Sequence, residues 1–375
     1  MAKRTMTAPP VLAGYSYVRP LGSGGFADVF LYEQDLPRRV SAVKVLLADA
    51  VNPEVLRTFN AEADISARLS AHPAIVTIYQ ASISSDGRPY IAMEYCPDNM
   101  GTRYKKGPVP VAEVLDAGVR IAGALETVHR AGLLHRDIKP SNILLSSLGS
   151  PVLADFGIAA AVVDEGDPDI IAMSVPWSSP EVLQQRVSGS VASEVWSLAA
   201  TLYTLFAGRT PFEKDDRASN SRAQLTKRIV QARYTPVPLP GFPAAIDEIL
   251  ATAMQRDPAR RFSSMAEFAE RLRWAQYDLG IAPTAFEAAS AEWAAAAPVS
   301  FSDSAPRGPG VTTVDAGGRR AVRAAQQRVR LEHDEPPPPR RRRPSPLMAG
   351  LIGAGVGMAA LAAVGVTVLM LTGVI

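Results

Sequence analysis

Apolar and polar positions change rhythm along the chain. Over roughly the first hundred residues, apolar side chains fall in short runs rich in β-branched and aromatic types. "YSYVRPLGSGGFADVFLYEQ" predicts two strands around a glycine cluster, and "RVSAVKVLL" predicts a third. "NPEVLRTFNAEADISARLSAH" switches to helical spacing, with Asn52 as N-cap and Pro53 at the first helical position. "AIVTIYQASIS" and "RPYIAMEYC" predict two further strands joined at the Asp86-Gly87 turn. From Val111 onward helices dominate, among them "VAEVLDAGVRIAGALETVHRAG" and "EVWSLAATLYTLFAG". A sheet-rich small lobe ahead of a helix-rich large lobe predicts an α+β, two-lobed fold.

The pattern divides the 375 residues into four regions without an internal repeat. An N-terminal arm spans 1–14. A mixed domain spans 15–275, with its lobes meeting near residue 97. Residues 276–346 drift into Ala, Pro, Gly and Arg and read as a linker, with an Ala-rich helical stretch near 285–297. From Leu347 to Ile375 no charged residue occurs in 29 positions, and about 20 apolar residues suffice to cross a bilayer. Residues 347–373 are therefore expected to form one transmembrane helix. Arg340–Arg343 beside it predict a single-pass protein of the cell membrane with its folded domain in the cytoplasm. Gly353 and Gly357 offer a small-residue face for a second helix, hence for a homodimer.

Charge sharpens this division. Residues 303–343 carry ten arginines, no lysine and five acids, a net +5 that leaves −3 for the rest of the chain. The basic character belongs to the linker, so no nucleic-acid partner is expected. A lone cysteine, Cys96, cannot form an internal disulfide and suits a reducing compartment. It reads as a small apolar filler.

Chemistry concentrates where the apolar rhythm is interrupted. "LLHRDIKPSNILL", residues 133–145, sets His135, Arg136, Asp137, Lys139 and Asn142 between apolar flanks. Such flanks can fix polar geometry tightly. "LGSGGFADVF" supplies Gly22, Gly24 and Gly25, where backbone amides can approach phosphate without a Cβ in the way. Lys44 sits inside the apolar "SAVKVLL", either snorkelling at an edge or buried as a partner for anions. "LADFGIA" places Asp155 eighteen positions after Asp137, and "SVPWSSPEVL" and "RDPARRF" follow.

In this order the motifs resemble the eukaryotic-like Ser/Thr protein kinases of bacteria over residues 15–275, in particular the membrane-tethered actinobacterial members. The resemblance implies a Ser/Thr protein kinase that uses ATP and Mg2+ and acts on protein substrates bearing Ser or Thr hydroxyls. It assigns Asp137 to accept or orient the acceptor hydroxyl's proton and Lys139 to neutralise γ-phosphate charge. Asn142 and Asp155 would hold Mg2+. Lys44 would hold the α- and β-phosphates and pair with Glu62, or with Asp64 in its place. Leu21, Gly22, Ser23, Gly24, Gly25, Val29 and Ala42 would line the nucleotide pocket. Met93, Glu94 and Cys96 would border adenine where the lobes join. His135 would be structural, Phe156 would pack against the helix bearing Glu62, and Glu181 would pair with Arg261.

Several positions depart from the family. Ala27 replaces a glycine, Glu194 an aspartate, and Val175 the threonine that contacts the catalytic aspartate and lysine, in a segment one residue short. Residues 155–181 contain no threonine, but they do bring Asp164, Glu165, Asp167 and Asp169, candidates to face Arg136 in place of a phosphate. Two rival readings are a pseudokinase-type membrane scaffold and a small-molecule phosphotransferase of related fold. Intact Lys44, Asp137, Asn142 and Asp155 oppose the first; Lys139, Glu181 and Arg261 oppose the second.

Overall fold

The computed structural model describes residues 5–25, 27–51, 53–155 and 174–290, but not the side chains of residues 50, 53–55, 58, 61–62 and 217. The strand-rich lobe is a five-stranded antiparallel sheet in the order β1-β2-β3-β5-β4. Its strands are β1 (Tyr15–Ser23), β2 (Ala27–Gln34), β3 (Arg39–Leu46), β4 (Ile78–Ile83) and β5 (Pro89–Glu94). These are the five runs expected from the β-rich pattern. Helix α1 (Pro53–Leu69) lies between β3 and β4 in the chain, starting at the expected proline. Its Phe59 and Ala63 join Ala27, Leu46 and Ile91 in an apolar cluster. Ala27, where the family has glycine, thus places its methyl group in packing contact; it is only 7% exposed. Gly87 takes the left-handed conformation that the β4–β5 turn requires, at φ 83°.

The helical lobe begins with strand β6 (Asp98–Asn99) and a short helix α2 (Met100–Arg103). Helix α3 (Val111–Arg130) follows, with Leu115, Ile121, Leu125 and Val128 fully buried. Strands β7 (Ile143–Leu145) and β8 (Pro151–Leu153) form a hairpin that β6 extends into a three-stranded sheet. Beyond it come α4 (Pro180–Leu183), α5 (Val191–Ala207), α6 (Arg222–Gln231), α7 (Ala244–Ala253) and α8 (Met265–Asp278). Helix α5 is apolar on nearly every side because it runs through the core. A reciprocal Ser190–Ser193 cap starts it, and Gly208 in the left-handed region ends it. One large apolar core joins α3, α5, α7 and α8.

Segments at both ends of the domain pack onto it. The arm ahead of Tyr15 is seated on the sheet. Leu12 is buried with Phe30, Tyr32 and Tyr90, and Thr7 donates from its backbone and hydroxyl to Asp28 at 2.9 and 2.7 Å. At the other end α8 runs to Asp278, and residues 281–290 pack on the helical lobe as irregular chain, so the helix expected from 285 does not start there. Composition marked these residues as linker because they are rich in alanine; Ile281 and Phe286 nevertheless pack on the core, and polar and backbone groups add further anchors. Among the described residues no helix is long and apolar enough to cross a membrane. The expected span at 347–373, Arg340–Arg343, Gly353 and Gly357 lie outside the described residues.

Candidate active site

The hairpin explains the spacing of the polar motifs. Asn142 precedes β7 and Ala154 follows β8, and the antiparallel pairing Ile143↔Leu153 brings the two ends together. Ala154 N–H donates to the Asn142 carbonyl at 2.9 Å, which sets Asp155 beside the segment 135–142. Ile138, Ile143 and Leu145 are buried, so the apolar flanks of "LLHRDIKPSNILL" anchor the polar residues between them.

Asp137 is the centre of a hydrogen-bonded group. Lys139 Nζ donates to Asp137 Oδ2 at 2.6 Å. Asn142 Nδ2 donates to that oxygen at 3.0 Å and to the Asp137 carbonyl at 2.9 Å. The Ser174 hydroxyl donates to Asp137 Oδ1 and accepts from Lys139 Nζ, the latter at 3.1 Å. His135 lies fully buried beneath. Its Nδ1 accepts from Asp137 N–H at 3.2 Å and its Nε2 donates to the Ala154 carbonyl at 3.1 Å. Burial pushes His135 below the ordinary histidine range, which keeps the neutral ring that this pair of bonds needs.

Two of the departures in sequence find their geometry here. Val175 is buried in the core, and the hydroxyl expected at its position comes from Ser174, one residue earlier. Glu194, buried at 3% exposure, uses both oxygens. Oε1 accepts from Arg136 N–H at 2.6 Å and Oε2 from His129 Nε2 at 2.6 Å. It thereby fixes the backbone at Arg136, which holds a left-handed φ of 66°, a strained state for a side-chain-bearing residue.

Lys44 faces this group from the other lobe. Its Nζ donates to Asp155 Oδ1 at 3.1 Å. The Lys44 cation holds the Asp155 carboxyl below the usual range while burial acts the other way. The cation prevails because it also donates a hydrogen bond to the carboxylate, with Lys139 adding to its effect. Asp155 also sits in the left-handed region, at φ 56°. Lys44 pairs across the sheet with Val29 and Ile91, and Ala42 with Met93. Leu21, Gly22 and Ser23 end β1, while Gly24 N–H donates to the Ala27 carbonyl at 2.8 Å and closes the glycine turn ahead of β2. Met93 and Glu94 end β5. Cys96 follows, packed against the Val76–Val152–Ala154 cluster, and burial pushes its thiol up to about 12. It stays a protonated, apolar filler at neutral pH. Glu62 and Asp64 lie on α1. The Glu62 side chain, Phe156 and the acids at 164–169 are outside the described residues.

A protein kinase domain model matches residues 15–273. The chain belongs to the protein kinase family. Serine/threonine-protein kinase PknK of Mycobacterium bovis is 40% identical over 278 residues, covering 72% of this chain and 24% of that protein. PknJ of Mycobacterium tuberculosis is 35% identical over 287 residues (72% and 47%), and PknB of Mycobacterium leprae 32% over 277 (70% and 43%). The chain thus aligns with about a quarter to about half of each relative's length. The domain is of the bacterial Ser/Thr kinase type, in keeping with its two-lobed form.

The kinase domain's remaining motifs brace the site. The Arg261 guanidinium donates to both Glu181 oxygens at 2.7 and 2.9 Å, to the Gln255 and Ala192 carbonyls, and lies 5.0 Å over the Trp196 ring. Burial alone would raise the Glu181 carboxyl, but Arg261 keeps it below its ordinary value. The residues gathered here suit the kinase family's usual ligands, ATP and Mg2+. Among the described residues, a Cβ added at Gly22 or Gly25 would meet no atom beyond its chain neighbours within 4 Å, which leaves room for a ligand beside the glycine turn. Asn142 spends its amide N–H on Asp137, which leaves its carbonyl oxygen as the acceptor, and Asp155 is held ionised. Those are the hard oxygen donors that Mg2+ prefers.

Proposed function

We propose that this chain is an active, membrane-tethered Ser/Thr protein kinase that transfers the γ-phosphoryl group of ATP to protein Ser or Thr hydroxyls. The observation that carries this reading is the group formed by Asp137, Lys139, Asn142 and Ser174, set opposite the Lys44–Asp155 pair. In the reaction the acceptor hydroxyl oxygen bonds to the γ-phosphorus as the bond to the bridging oxygen breaks and ADP leaves. Asp137 takes the hydroxyl proton and aims the oxygen. Lys139, already 2.6 Å from Asp137, places a positive charge beside the transferring group. Lys44 binds the nucleotide's phosphates. Asn142 and Asp155 would hold Mg2+, which supplies charge neutralisation on the phosphates. Ser174 holds Asp137 and Lys139 in register until an acceptor hydroxyl arrives.

Residues 347–373 supply the tether in this proposal, supported by their lack of charge and by the four preceding arginines. The lobes then face the cytoplasm, and the Gly353–Gly357 face pairs two copies. A pseudokinase scaffold would have no need of the intact group around Asp137. The test is incubation of the full chain with labelled ATP, Mg2+ and a generic protein acceptor, beside Asp137→Asn. Transfer to Ser and Thr that falls by roughly two to four orders of magnitude in the variant is expected. Equal label in both samples, or none in either, counts against kinase activity.

A further inference from the structure

Residues 281–290 do more than leave the domain. Thr284 is buried beside α8 and α3. Its hydroxyl donates to Asp116 Oδ1 at 2.9 Å and accepts from Gln276 Nε2 at 2.8 Å, and its N–H donates to Gln276 Oε1 at 2.9 Å. Five residues on, Ala289 N–H donates to the Thr127 hydroxyl at 3.0 Å and its carbonyl accepts from Arg130 Nη1 at 2.7 Å. Between these anchors the Glu287 backbone lies against the middle of α3. A Cβ at Gly123 would come within 2.1 Å of the Glu287 carbonyl oxygen, and the three atoms nearest to it all belong to Glu287. Glycine is unfavourable within a helix, and here it makes room for another stretch of backbone.

The same carbonyl reaches the other lobe. Glu287 O accepts from His72 Nε2 at 2.9 Å, and His72 stands in the turn after α1. His72 Nδ1 accepts from Ala74 N–H at 3.1 Å. The Ala74 carbonyl accepts from Leu153 N–H at 2.8 Å, and the Leu153 carbonyl accepts from Val76 N–H at 3.0 Å. Leu153 lies two residues before Asp155. A continuous run of hydrogen bonds therefore links the chain after α8 to the backbone that carries the Asp155 carboxylate. Burial holds His72 below the ordinary histidine range, consistent with a neutral ring that donates on one side and accepts on the other.

We infer that residues 281–290 are a strap of the catalytic domain, a positioning element that pins the turn after α1, and through it β8 and Asp155, against α3. The exchange consequences stand alone; the kinetic ones rest on the proposed kinase activity. Full-length chains carrying Gly123→Ala, Thr127→Val or Thr127→Ser would be compared by hydrogen–deuterium exchange without nucleotide, by melting temperature and by steady-state kinetics. Gly123→Ala should speed exchange at 281–290 by about tenfold or more, with faster exchange also at Ala74 and Val76. Its melting temperature should not rise, although alanine favours a helix. Its apparent KM for MgATP should increase about fivefold, with kcat changed less. Thr127→Val, nearly isosteric, should shift each readout the same way but less, and Thr127→Ser should restore it. Unchanged exchange at 281–290, or a higher melting temperature in Gly123→Ala, overturns the strap. Faster exchange there with Ala74 and Val76 unmoved overturns its positioning role. If wild type transfers no phosphoryl group, the kinase proposal fails, while the exchange measurements still decide the strap.

Discussion

At the scale of the residue, one hydroxyl governs how the catalytic group is assembled. Ser174 touches both Asp137 and Lys139, so removing it frees two charged side chains from a shared anchor. Hydrogen bonds to charged groups are worth about 1.5–3 kcal/mol, so Ser174→Ala should lower kcat roughly ten- to hundredfold. Ser174→Thr should keep most activity, because it retains the oxygen. A Ser174→Ala enzyme with wild-type kcat would show that Asp137 and Lys139 need no such anchor. This contact was only partly legible in the sequence. Asp137, Lys139 and Asn142 announced themselves because charged residues between buried apolar flanks need a reason. Ser174 did not, since motif position pointed to Val175 and only the folded chain shows that the hydroxyl of Ser174 reaches Asp137 and Lys139. Glu194 was legible as a departure. Which two partners its longer side chain reaches, Arg136 N–H and His129, depends on the approach of α5 to α3, which no local pattern encodes.

At the scale of the element, helices and hairpins hold one another through a few buried polar ties. The Glu181–Arg261 pair joins α4 to the segment before α8 with two hydrogen bonds and almost no solvent. Removing one partner leaves a buried charge uncompensated, at a cost of about 3–5 kcal/mol. Arg261→Met should therefore lower the melting temperature by roughly 10 °C, read by calorimetry at pH 7. The sign with pH follows from the depressed Glu181 carboxyl. Its stabilisation is present above the ordinary glutamate value and fades as pH falls through the lower folded-state value. The gap between wild type and Arg261→Met should narrow on acidification below pH 4.5; a constant gap would place the effect in packing against Trp196. Strands β1 to β5 and helices α1, α3 and α5 were legible because the spacing of their apolar positions agrees with the element each forms. The packed stretch at 281–290 was not, because its polar anchors join residues far apart in the chain, Thr284 to Asp116 and Ala289 to Thr127, and no local pattern encodes such pairings.

At the scale of the whole molecule, charge and hydropathy divide the protein into a nearly neutral catalytic domain, an arginine-rich linker and an uncharged end. If residues 347–373 span the bilayer, the full chain should sediment with membranes and resist alkaline carbonate, and deleting them should release it to the soluble fraction. Release of the intact chain by carbonate would argue instead for surface adsorption through Arg340–Arg343. The opposite end of the protein carries a practical lesson. A kinase fragment begun at Tyr15, where the family match starts, would discard Leu12 from the sheet's apolar cluster and both Thr7 hydrogen bonds from Asp28, a carboxylate with no solvent exposure one position ahead of Val29. Such trimming would leave every signature motif intact yet loosen the floor beneath the nucleotide, so weak ATP binding by a shortened protein would reflect the cut and not the enzyme.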